Sequence, residues 1–181
     1  AGISLDWVFK GLAEIRPRLQ AEIVLMGYVN PFLQFGWEHV AAKSAECGVS
    51  GLIVPDLPLE ESRTVEALLQ ESNLNLVRLI GLNTSLDRMQ LYAQGSRGFI
   101  YFVAVMGTTG SRQELPPELK AGLSRARQVF SQPLALGFGL SRPEQVEPIQ
   151  DLVDGLVFGS SLIQHLRAGG SSREFISRWR S

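Results

Sequence analysis

Cysteine is almost absent from this chain of 181 residues, and with Cys47 as its sole thiol no internal disulfide can form. A lone thiol fits a reducing compartment, so the expectation is a cytoplasmic protein whose cysteine packs into a core. Histidine is scarce as well, and neither His39 nor His165 has a neighbour at metal-ligand spacing. No metal is therefore expected, and both histidines read as ordinary helix residues. No Gly-x-Ser-x-Gly elbow occurs, which excludes the usual serine-hydrolase reading. Neither sign of charge dominates: 17 basic against 18 acidic residues leave a net −1. The basic residues are scattered, so no nucleic-acid face is expected. No apolar run approaches the ~20 residues of a membrane span, and the N-terminus lacks a basic-then-apolar signal pattern.

What is present is apolar material and an alternating order. Hydrophobic residues make up 45% of the chain, enough for the core of a single domain over residues 1–181. Helical spacing of Leu5, Val8, Phe9, Leu12 and Ile15 predicts a helix over residues 4–19. Short apolar strands are expected at 23–28, 51–55, 74–80, 99–105, 134–137 and 156–158. Helices are expected at 37–47, 60–71, 86–94, 117–130, 143–150, 162–166 and 173–179. Trp7, Trp37 and Trp179 fall on predicted helices and should pack against strands. Continuous apolar strands alternating with helices demand a parallel sheet covered on both faces. An open doubly wound sheet would carry its glycine fingerprint after the first strand. Here the glycine turns follow the last two strands, which favours a (β/α)8 TIM barrel with only its last six strands and their helices in this chain.

Those two turns are the most informative feature. Leu134-Ala135-Leu136-Gly137-Phe138-Gly139 and Gly155-Leu156-Val157-Phe158-Gly159-Ser160 each run from a strand through glycine into a helix. Such turns aim backbone N–H groups and the positive end of a helix dipole at one point, where phosphate binds. In a (β/α)8 barrel the loops after strands seven and eight commonly form a phosphate site. Ser141-x-x-Glu144 reads as a capping box behind the first turn, with Pro143 in the first helical turn. The stretch 106–114, glycine-rich with small hydroxyl residues, suits either a lid over a ligand or a plain surface loop. Tyr28, Asn30 and Asp56 also follow strand ends, but Asn-Pro and Asp-x-Pro are ordinary turn formers, and a turn carboxylate often caps backbone N–H groups.

Four stretches together carry a resemblance: Leu25-Met26-Gly27-Tyr28-Val29-Asn30-Pro31, Gly51-Leu52-Ile53-Val54-Pro55-Asp56-Leu57-Pro58-Leu59-Glu60-Glu61, Gly107-Thr108-Thr109-Gly110 and Gly137-Phe138-Gly139-Leu140-Ser141. They resemble, in order and spacing, the α chain of tryptophan synthase. The resemblance implies a (β/α)8 barrel lyase that cleaves indole-3-glycerol phosphate to indole and glyceraldehyde 3-phosphate. It implies a tryptophan synthase β-subunit partner in an α2β2 heterotetramer, with pyridoxal phosphate belonging to that β subunit and no cofactor here. Carried over residue by residue, it assigns phosphate binding to Gly110, Phe138, Gly139, Gly159 and Ser160. Substrate contacts fall to Met26, Tyr28, Ile53, Tyr101, Thr109 and Val157, and the lid to residues 105–114.

One departure stands out. The family's acid, a glutamate ending the second strand, and its base, an aspartate in the following loop, lie in a Glu-Leu-Gly-x-Pro-Phe-Ser-Asp-Pro type of stretch that these 181 residues do not contain. Asp56 matches the family's strand-four aspartate instead. No catalytic residue is assigned, and the expectation is an inactive fragment with exposed sheet edges along 23–28 and the last strand. Two other readings compete: a non-catalytic phosphate-binding module regulating a β subunit, and a different sugar-phosphate barrel enzyme using Asp56.

Overall fold

The computed structural model describes residues 3–104, 117–140 and 142–179, and divides into two compact units. The first runs through Arg78 and includes Ser96–Gly98; the second takes Leu79–Gly95 and the chain from Phe99 onward.

In the first unit, strands β1 (Ile23–Met26), β2 (Val49–Ile53) and the opening half of β3 (Asn75–Gly81) pair in parallel. Helices α1 (Leu5–Ile15), α2 (Val29–Phe35), α3 (Trp37–Glu46) and α4 (Leu59–Glu71) alternate with them. The register Leu25↔Leu52↔Leu76 puts one face of the strands against Phe9, Phe32, Val40, Val65 and Leu69 of the helices. Alternation then turns Val24, Met26, Gly51, Ile53, Asn75 and Val77 to the other face. The helix expected at 4–19 stops at Ile15 because Pro17 cannot donate to the ladder, and a 3-10 turn at Arg16–Arg18 finishes it. Cys47 closes α3 in the core, donating its thiol to the carbonyl of Phe9 at 3.4 Å; burial raises the thiol's pKa. Trp37 packs its ring on Phe32 of α2, a helix rather than the strand expected, and Trp7 stays largely exposed.

The second unit repeats the plan. Strands β4 (Ile100–Ala104), β5 (Leu134–Phe138) and β6 (Gly155–Val157) pair in parallel, with helices α5 (Leu86–Ala93), α6 (Pro117–Val129), α7 (Ser160–Arg167) and α8 (Ser172–Ser177). Phe102, Leu136 and Leu156 share the face that packs against Met89, Leu119, Leu123 and Ile149. Phe102 comes so close to α6 that a Cβ on Gly122 would sit 3.0 Å from its ring.

The helix expected at 143–150 is instead two 3-10 segments, Pro143–Gln145 and Glu147–Leu152. Pro148 lacks the N–H that an α-helical ladder would need there. The capping box expected at Ser141 falls on a residue outside those described; next to it, the Gln145 side chain accepts from the Arg142 N–H at 3.0 Å. A capping box at Ser171 and Glu174 opens α8. Among the described residues no helix is long and apolar enough to cross a membrane.

Candidate functional site

In the first unit the candidate residues gather at the C-terminal ends of β1 and β2. Met26 pairs with Ile53, and both turn away from the helix-packed face. Gly27 continues the ladder by donating to the Ile53 carbonyl at 3.1 Å. Glycine leaves room there for the Phe32 ring, which a Cβ would meet at 2.8 Å. Met26 and Tyr28 are more than half exposed, while Ile53 is 7% exposed.

Asn30 and Pro31 do not form the expected turn. They are the second and third residues of α2, where proline is tolerated because first-turn N–H groups have no intrahelical partner. The N-cap position is Tyr28, whose side chain makes no capping bond. Asp56 does the capping from the end of β2: its Oδ1 accepts the Val29 N–H at 2.9 Å. The capping role that an aspartate in a turn commonly plays is therefore filled across the sheet rather than within its own loop.

In the second unit, Tyr101 pairs with Ala135, which pairs in turn with Gly155, and Val103 pairs with Gly137, which pairs with Val157. All six point away from the core of that unit, and three of them are glycine or alanine. Small residues give the Tyr101 ring its place: it lies across Gly137, where any Cβ would collide with it. Burial there raises the phenol's pKa.

The register also fixes the glycine turns. Because Gly137 pairs with Val157, Gly139 and Gly159 each stand two residues past the same rung of the ladder. Both are exposed. Gly159 serves as N-cap of α7 with φ −116° and ψ −94°, and Ser160 opens the helix. First-turn N–H groups of a helix lack intrahelical acceptors and attract anions. Phe138 ends β5 beside them, through its backbone. Thr109, Gly110 and the lid segment 105–114 lie outside the described residues.

Among the described residues no three His, Cys, Asp or Glu side chains gather as metal ligands would. Two polar clusters went unread in the sequence. Arg78, buried on β3, pairs with Glu66 at 2.6 Å and donates to Ser62 Oγ at 2.8 Å. His165 bonds to the Ser171 carbonyl and to Arg178, both at 3.0 Å. The Gly169-Gly170 pair followed by Ser171-x-x-Glu174 signals the helix hairpin around it, though not the bonds.

A family model described as tryptophan synthase alpha chain matches residues 1–178. The chain belongs to the tryptophan synthase alpha chain family. It is 52% identical over 179 residues to the tryptophan synthase alpha chain of Solidesulfovibrio magneticus, covering 99% of this chain and 70% of that protein. Against the alpha chain of a Bacillus cereus strain the identity is 39% over 92% of this chain and 64% of the relative. Among solved structures, a mutant tryptophan synthase alpha-subunit from Pyrococcus furiosus superimposes with a TM-score of 0.87 at 29% identity, covering 98% of this chain and 74% of that one. A chain of the tryptophan synthase complex from the same organism matches with a TM-score of 0.84 at 28% identity, covering 97% and 71%. The fold is accordingly that of the tryptophan synthase alpha (β/α)8 barrel, of which this chain carries six parallel strands with their helices.

Proposed function

We propose that this chain forms the phosphate-binding and indole-binding part of a cytoplasmic tryptophan synthase alpha subunit, a lyase acting on indole-3-glycerol phosphate. The observation that carries this is the Gly137↔Val157 rung, which brings Gly139 level with Gly159 and the N-terminus of α7. Two sets of backbone N–H groups at neighbouring strand ends make a receptor for a phosphate monoester. Gly110, Phe138, Gly139, Gly159 and Ser160 hold the phosphate, and Tyr101, Val157, Thr109, Met26, Tyr28 and Ile53 contact the rest of the substrate.

In this reading the chain binds and orients; it does not move the protons. The family's glutamate and aspartate are not among these 181 residues, and each proton transfer they serve is worth roughly 10²–10⁴ in rate. Asp56 is no replacement, since one of its oxygens is engaged by the Val29 N–H. These residues taken by themselves therefore bind substrate analogue without cleaving it. The partner is a tryptophan synthase β subunit, in an α2β2 complex where pyridoxal phosphate sits on the β chain.

Calorimetric titration with indolepropanol phosphate tests the reading. Saturable binding that disappears when the phosphate is removed from the ligand is expected. Equal affinity for indolepropanol with and without its phosphate would refute it. Turnover of another sugar phosphate, abolished in Asp56→Asn, would favour a different barrel enzyme.

A further inference from the structure

Phe175 stands on α8, well outside the set of residues assigned to ligand, and is 5% exposed. Its ring meets Phe158 edge-to-face at 5.1 Å and 84°, and meets His165 at 5.6 Å. Phe158 is the residue before Gly159; His165 lies on α7, past Ser160. One side chain thus touches the chain on both sides of the Gly159–Ser160 turn. Trp179 reinforces the strand side, its ring packed on Phe158 at 4.5 Å and tilted by 48°. It lies in the turn that follows α8, past the last helical residue.

The helix side is held by a directed set of hydrogen bonds. Arginine can only donate, so Arg178 Nη2 donates to His165 Nδ1, and Nε2 carries the ring hydrogen to the Ser171 carbonyl. Glu174 lies 3.9 Å from Nε2, with its carboxylate accepting the Ser171 N–H. Gly170 completes the fit: a Cβ there would run into the imidazole.

We infer that Phe175 is a positioning residue for the phosphate turn, bracketing it between Phe158 and His165 so that the Gly159 and Ser160 N–H groups keep a fixed aim. The glycine supplies no side chain to anchor the turn, and its two flanks must do so. An oxyanion receptor made of backbone N–H groups depends on direction, and a turn free to rotate binds phosphate less well. This rests on the phosphate reading of Gly159 and Ser160 given above.

The test is equilibrium dialysis of the 181-residue chain against radiolabelled glycerol 3-phosphate. Phe175→Leu and Gly170→Ala should each weaken binding by about five- to tenfold, a difference of about 1–1.4 kcal/mol. Trp179→Leu should weaken it as well, and Trp179→Phe, which keeps an aromatic ring against Phe158, should restore it. Met89→Ala removes a fully buried side chain from α5 of the same unit, outside the Phe158–Phe175–His165 set, and should lower stability while leaving the dissociation constant within about twofold. Unchanged affinity in Phe175→Leu and Gly170→Ala overturns the inference and leaves the phosphate reading standing. Absence of binding by the unsubstituted chain overturns both. If Phe175→Leu does not fold, Gly170→Ala, which deletes no core side chain, decides the question.

Discussion

Asp56 and Val29 lie 27 residues apart and are joined by one hydrogen bond of 2.9 Å, from a backbone N–H to a carboxylate. The bond ties the end of β2 to the start of the helix that follows β1. It explains how a helix of seven residues can begin at a tyrosine that offers no cap of its own.

Removing that carboxylate should be felt. Asp56→Ala is expected to cost about 1 kcal/mol, the usual worth of a helix cap, and Asp56→Asn much less because its amide oxygen still accepts. Urea unfolding of the two variants checks this. Equal midpoints for Asp56→Ala and the parent chain would contradict a capping role.

Gly137→Ala should force the Tyr101 ring out of its place and cost about 1–3 kcal/mol, as overpacked sites do. The same substitution should lower the phenol's titration toward the ordinary tyrosine range, since burial is what raises it. A folded-state value above the unfolded one means that Tyr101 contributes stability below the ordinary phenol range, lost as pH rises through the raised value. Ultraviolet titration of the parent, Gly137→Ala and Tyr101→Phe proteins should therefore show the raised Tyr101 transition in the parent only.

Asp154 behaves oppositely. The Leu134 N–H, first, and Arg127, second, hold its carboxyl below the usual aspartate value. A depressed folded value means stability that is present above the ordinary aspartate range and lost as pH falls through the lowered one. Asp154→Asn should flatten the acid limb of the stability profile, measured by denaturant midpoints from neutral pH downward. An unchanged acid limb would count against the bond.

The Arg78–Glu66 pair is buried enough that breaking it should be severe. Arg78→Ala leaves the Glu66 carboxylate desolvated without its cation, and about 3–5 kcal/mol is the expected loss. Burial already raises the Glu66 pKa despite the arginine beside it, so Arg78→Ala should raise it further. Glu66→Gln in the Arg78→Ala background should recover part of the loss; a strictly additive double variant would argue against coupling.

Much of this was legible beforehand, and the limits have physical causes. Strand positions followed from continuous apolar runs, and the glycine turns from their place after the last two of them, because those signals are local. The helix at Val29–Phe35 was not legible: Asn30-Pro31 reads as a turn, and the carboxylate that caps the helix comes from another strand end. The 143–150 segment carried a helix signal, but Pro148 broke the ladder into 3-10 segments. His165 looked ordinary because its partners, Ser171 and Arg178, become neighbours only once α7 and α8 fold back on each other. Of the assigned ligand residues, those in the second unit's strand ends are set side by side by pairing register, which no single segment encodes.

That register has an unexpected author. Asp154, just ahead of β6, both donates its N–H to the Leu134 carbonyl at 2.8 Å and accepts the Leu134 N–H on its side chain at 2.7 Å. The two bonds close a ring at the N-terminal end of the β5–β6 pair, the end away from the glycine turns. Slippage of β6 by a single residue would swing Val157 onto the helix-packed face and set Gly139 and Gly159 out of step. The alignment of a phosphate receptor is thus decided at the opposite end of its strands, and a change at Asp154 can misaim it without touching it.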